Sequence, residues 1–131
     1  MLDPRVMAPA ERPQENIQDP NGLARAIVQI AADKKAENIV MLDIRGQSII
    51  ADYFVICSGT SDRQVRAIAG DIDEQLGKLG LNPVHIEGMS DAHWVLLDYS
   101  SVIVHVFDPT TRDYYRLEKL WAEAPRVLVI Q

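Results

Sequence analysis

The segment Tyr53-Phe54-Val55-Ile56-Cys57-Ser58 constrains this chain more than any other. It is apolar on both faces of an extended strand, a pattern expected where a sheet is covered on both sides. Gly59-Thr60-Ser61 follows at once, and then Val65, Ile68, Ala69, Ile72, Leu76 and Leu79 recur at helical spacing along one face. Ser61 and Gln64 form a capping-box signature, which satisfies two backbone N–H groups left open at the start of a helix. Gly80 is placed as the left-handed residue that ends it. A buried strand feeding a long amphipathic helix points to an α/β fold.

The flanking segments extend this unit. Leu23, Ile27, Ile30 and Ala31 predict a first helix over residues 21–37, and the run Ile39–Ile44 predicts a strand closed by Gly46. After Pro83, Val84–Glu87 predicts a short strand reached through the long helix, so a parallel, right-handed crossover is expected. Trp94–Tyr99 and Val102–Phe107, separated only by Ser100-Ser101, predict an antiparallel hairpin. Asp108 as N-cap and Pro109 at the first helical position open a third helix, expected to reach Glu123 with Tyr114, Leu117, Leu120 and Trp121 on one side. Pro125 stops it. Val127–Ile130 reads equally well as an edge strand or an apolar tail. The expected fold is a single-domain α/β/α sandwich around a five-stranded mixed sheet. Residues 1–20 hold four of the seven prolines and no periodicity, which predicts a mobile tail before a domain at 21–123; residues 124–131 form the C-terminal tail or edge strand.

Cys57 is the one cysteine, so neither an intrachain disulfide nor a cysteine zinc site can form, and a reducing cytoplasm is expected. No apolar run approaches the ~20 residues of a membrane span, and the N-terminus resembles neither a signal peptide nor an Arg-rich transit peptide. The charge balance, 13 − 19 = −6, argues against a broad grip on DNA and leaves RNA contact incidental; a basic protein partner fits better.

Reactive constellations are weak. Gly59-Thr60-Ser61 lacks the second glycine and the lysine of phosphate-binding loops, and capping accounts for it. Asp71 and Asp73 splay to either side of buried Ile72, so they do not converge on a metal. His85, Glu87 and His93 lack zinc-ligand spacing. His105, mid-strand among apolar residues, reads as a buried imidazole bonded to a neighbour, or as a polar anchor at an interface. Cys57 and His105 lack a third orienting group and do not read as a nucleophile and base. No catalytic, cofactor or metal residue is assigned. The conspicuous side chains are aromatic: Trp94, Tyr114, Tyr115 and Trp121, types that pack cores and also dominate binding hot spots.

Asp52–Ser61 with Arg63-Gln64-Val65 resembles the first signature of the ribosomal silencing factor (RsfS, Iojap-like) family. Trp94–Tyr99, Val102–Phe107 and Tyr114–Trp121 resemble its hairpin and final helix in order and spacing, so the likeness spans roughly 22–122. It implies a fold related to nucleotidyltransferases without their catalytic carboxylates. It also implies a non-enzymatic translation repressor that binds the large ribosomal subunit through ribosomal protein L-fourteen, blocking small-subunit joining in starved or stationary-phase cells. From this likeness and residue type together, the expected partner-binding residues are Trp94, Leu96, Asp98, His105, Tyr115, Glu118 and Trp121. No cofactor is expected. A metal-dependent nucleotidyltransferase is the alternative, and a homodimer would use the same surface.

Overall fold

Residues 16–131 are described by a computed structural model; of the tail expected over residues 1–20, residues 1–15 lie outside the described residues, and 16–19 form a turn that leads into the first helix. The first helix, α1 (Pro20–Asp33), starts where Asp19 accepts the Gly22 N–H at 3.1 Å and Pro20 occupies the first turn. It ends four residues before the expected Glu37. Lys35 takes a left-handed φ of 64°, and the Ala36 N–H returns to the Ala31 carbonyl at 3.0 Å. The closing residue is therefore a lysine, and the glycine that normally marks such an end is missing.

Next come β1 (Glu37–Asp43), β2 (Tyr53–Ser58) and α2 (Asp62–Lys78). Ser61 Oγ accepts the Gln64 N–H at 3.1 Å, as the capping box requires. Gln64 Oε1, however, takes the Thr60 N–H at 2.6 Å, one residue before the cap, while its amide donates to the Lys35 carbonyl at 3.2 Å. One side chain thus fastens the start of α2 to the end of α1. At the far end Gly80 has φ 83°, and the Leu81 N–H closes on the Leu76 carbonyl at 2.9 Å, as its sequence position predicts.

The chain continues through β3 (His85–Glu87), β4 (Trp94–Asp98), β5 (Val102–Phe107), α3 (Pro109–Tyr115), α4 (Leu117–Leu120) and β6 (Arg126–Ile130). The sheet has six strands, not five, in the order β3-β4-β5-β2-β1-β6. The added strand is the ambiguous C-terminal run, paired antiparallel to β1 from Ile39–Ile130 to Leu42–Arg126. Beside a buried β1, an edge position satisfies its backbone and half-covers its side chains, which settles the choice between strand and tail. Among the described residues only β2 and β5 are parallel neighbours. β3 runs in the same direction as β2 but lies beyond β4 and β5, so the crossover skips two strands and does not pair adjacent ones.

The two sheet faces are covered unequally. On one, α1 and α2 pack over Ile39, Met41, Val55, Val95, Val104 and Val106 in a continuous aliphatic core. Burying each such side chain stabilises the fold by about 1.5–3 kcal/mol. On the other, α3 and α4 have only seven and four residues, with none fully buried. The predicted single helix breaks at Arg116, whose left-handed φ of 48° ends α3 and begins α4. Leu117 and Trp121 consequently turn toward the sheet, while Tyr114 (77% exposed) and Leu120 (74%) point away from it.

Candidate functional site: an aromatic sheet face

Strand parity assembles the site. On β4, Val95 and Leu97 enter the aliphatic core, so Trp94, Leu96 and Asp98 point to the thinly covered face. The pairings Trp94–Phe107 and Leu96–His105 place β5 side chains next to them. Trp94 is the hub. Its ring stacks on Phe107 with centroids 4.9 Å apart, meets Tyr115 at 5.0 Å, and its indole N–H donates to His105 Nδ1 at 3.1 Å. Phe54, one strand further, contacts His105 edge-on at 4.7 Å and Trp121 at 5.2 Å. Such ring pairs contribute about 0.5–1.5 kcal/mol beyond the area they bury.

His105 is buried, and its Nε2 has no hydrogen-bond partner. Because Nδ1 accepts from Trp94, the neutral ring carries its proton on Nε2. Burial lowers its pKa from 6.5 to about 4, so it is uncharged at neutral pH. Gly88 holds the approach to Trp94: its φ is 90°, and a Cβ there would lie 2.0 Å from the Trp94 carbonyl oxygen. Nothing but glycine fits.

Six of the seven expected residues share this face or its rim. Trp94, Leu96 and Asp98 are half-buried, Tyr115 is 49% exposed, Trp121 is half-buried against Phe54, and His105 lies beneath them. Asp98 also accepts the Ser100 N–H at 2.7 Å, which shapes the hairpin turn. Glu118 differs. Its carboxylate takes Arg112 Nε at 2.7 Å, and a second nitrogen of the same guanidinium also contacts it. The expected free acidic rim residue is half of an ion pair.

The remaining polar candidates are occupied locally. His85 Nε2 lies 2.5 Å from Glu87, His93 Nδ1 lies 2.7 Å from Asp108, and Asp71 accepts from Gln75 at 2.6 Å. Cys57 faces the aliphatic core while His105 faces the aromatic side, so the two cannot meet across the sheet. Burial pushes the Cys57 thiol up to about 12. Among the described residues no group of three His, Cys, Asp or Glu side chains is placed to hold a metal ion, and no helix is long and apolar enough to cross a membrane.

Phe54, Phe107 and Gly88 were not singled out from the sequence. Neither was Arg112, which ties Glu118 to Ser58 Oγ at 2.9 Å. One signal existed: Arg112, Arg116 and Lys119 recur at spacings of four and three.

A six-stranded α/β domain with an aliphatic core on one side and half-exposed rings on the other has the form of a macromolecule-binding module. The chain belongs to the ribosomal silencing factor (RsfS) family. The sequence model of the family described as "Ribosomal silencing factor during starvation" matches residues 16–131. Over 105 residues the chain is 50% identical to the ribosomal silencing factor RsfS of Bacillus subtilis, covering 77% of this chain and 89% of that one. A crystal structure of a Chromobacterium violaceum protein superposes with a TM-score of 0.74 at 34% identity, over 82% of this chain and 87% of that one. A mouse protein named "Mitochondrial assembly of ribosomal large subunit protein 1" is 33% identical over 98 residues, 72% of this chain and 43% of its own length.

Proposed function

We propose that this chain silences ribosomes without catalysing a reaction. It docks its aromatic face on the large subunit through ribosomal protein L-fourteen and occupies space the small subunit needs, which lowers translation in starvation and stationary phase. The observation that carries the reading is the Trp94–Tyr115 patch, where ring surface reaches solvent above a rigid sheet. Trp and Tyr anchors of this kind supply most of the binding energy of an interface. The names of the bacterial and mouse relatives support a ribosomal partner, and the mouse protein's name points to the large subunit. The chain's net charge of −6 steers it toward a basic ribosomal protein and speeds encounter more than it tightens the complex.

Co-sedimentation with purified large and small subunits, separately and mixed, tests this. The protein is expected to pellet with large subunits alone and to reduce pairing in the mixture. Trp94→Ala should weaken that binding by ~2 kcal/mol or more. Because Trp94 also packs on Phe107, circular dichroism must show the variant folded. Failure of the wild-type chain to bind isolated large subunits, with subunit pairing undisturbed, would end the proposal. A second copy on the same face would appear in light scattering as a dimer that large subunits dissociate.

A further inference from the structure

A cleft of about 520 Å³ opens between the end of β2, the start of β1 and the α3–α4 elbow. Ser58, Asn38, Arg112, Arg116, Lys119 and Arg126 line it with Asp113 and Glu118. Four cations against two carboxylates give it a local charge of 4 − 2 = +2, opposite in sign to the chain's −6. We propose that this cleft binds a phosphate-bearing ligand. The inference does not rest on the ribosome reading: neither Trp94 nor Tyr115 lines the cleft, and Glu118 is the one expected partner-binding residue that does.

The fold argues for it. In open α/β sheets ligands collect at the carboxyl ends of parallel strands, and β2 and β5 are the only parallel pair among the described residues. Ser58 ends β2, and α3 starts just after β5 ends at Phe107. The cations are also arranged for an anion. Arg112 is held rigid by Glu118 and by Ser58 Oγ at 2.9 Å, yet its guanidinium has five N–H groups and retains donors for a ligand. Arg116 sits at the left-handed break between α3 and α4, where a glycine would be easier, and its Nε donates to the Asp113 carbonyl at 3.0 Å. Lys119 and Arg126 make no ion pair among the described residues. Planar guanidinium forks match phosphate geometry, and the spread of cations suits more than one phosphate group. Among the described residues no aromatic ring lines the cleft, so it reads charge and shape, not a stacked base. Two sources carry this chemistry: a free nucleoside polyphosphate, or consecutive phosphates of an RNA backbone.

The test uses the full chain, free of ribosomes, with backbone amide NMR. Pyrophosphate, ATP, a short RNA hairpin and an Asp/Glu-rich peptide of matched charge are each titrated. Either phosphate class is expected to shift the Ser58, Arg116 and Lys119 signals in a saturable way. In Lys119→Gln/Arg126→Gln, which leaves the Arg112–Glu118 pair in place, affinity should fall roughly tenfold or more. Saturation by ATP and pyrophosphate alone identifies a free nucleotide. Preference for the hairpin, with a salt dependence that flattens in the double variant, identifies RNA. The proposal is overturned if no phosphate compound shifts those signals, if the double variant binds as well as wild type, or if the acidic peptide binds equally. None of these outcomes depends on whether large subunits bind the aromatic face.

Discussion

The two faces of this sheet are made by the same strands, yet they do different work. Where α1 and α2 lie, β1, β2, β4 and β5 contribute aliphatic side chains that are fully covered. Where α3 and α4 lie, Trp94 meets Phe107 and Tyr115, Phe54 meets His105 and Trp121, and some of that ring surface stays in water. Alternating parity lets one strand face both ways: Val95 and Leu97 are buried in the core while Trp94 and Leu96 stay partly exposed on the other side. Stability and recognition can then vary separately, because a change on one face leaves the packing of the other in place.

The sharpest contrast is expected from Ile27→Ala in the covered core. Emptying that fully buried site should cost about 2–5 kcal/mol in urea unfolding. A loss under ~1 kcal/mol would mean that the α1–α2 face does not dominate stability.

The aromatic face should reveal itself through pH. Unfolded His105 titrates near 6.5, whereas burial lowers the folded value to about 4. Between those values the unfolded chain holds the extra proton. The contribution is therefore complete above pH 6.5 and is lost as pH falls toward 4, by roughly 3 kcal/mol at most. Urea midpoints from pH 7.5 to 4.5 should show this slope in wild type and not in His105→Gln; an identical slope would assign it elsewhere. Asp43, whose carboxyl is held low by a hydrogen bond from Arg45, contributes below this window.

Tyr115→Ser separates the two roles more gently. Half-exposed at the patch, it should lower large-subunit affinity by ~1–2 kcal/mol while changing stability by less than ~1 kcal/mol. The reverse pattern would make it a core residue. Ile49→Ser, in the exposed β1–β2 loop, belongs to neither face and should stay within ~0.5 kcal/mol in both assays.

Much of this architecture was legible beforehand because strand and helix periodicities are local. The run at 53–58, the stripe of α2 from Val65 to Leu76 and the Ser100-Ser101 hairpin follow spacing and turn residues, while Leu79, expected on the stripe, caps the helix and is exposed. The errors fall where a distant partner or an unusual backbone decides. Residues 126–130 become a strand only beside β1, from which more than eighty residues separate them. The ends at Lys35 and Arg116 use left-handed residues that are not glycine, so they carry no ordinary signal. The site's residue types were visible as a set of Trp and Tyr, but their neighbours Phe54 and Phe107 required knowledge of strand pairing. The pairing of Glu118 with Arg112, six residues earlier, was not legible because it forms only around the break at Arg116.

The central β2–β5 pairing joins Tyr53 to Val102, whereas its neighbours are short-range hairpins on either side. The molecule therefore has a seam down its middle, and closing it is, with the β1–β6 pairing, a costly event in assembly because a long loop must lose its freedom first. Substitutions along that seam are expected to slow refolding, while those at the outer strands hasten unfolding.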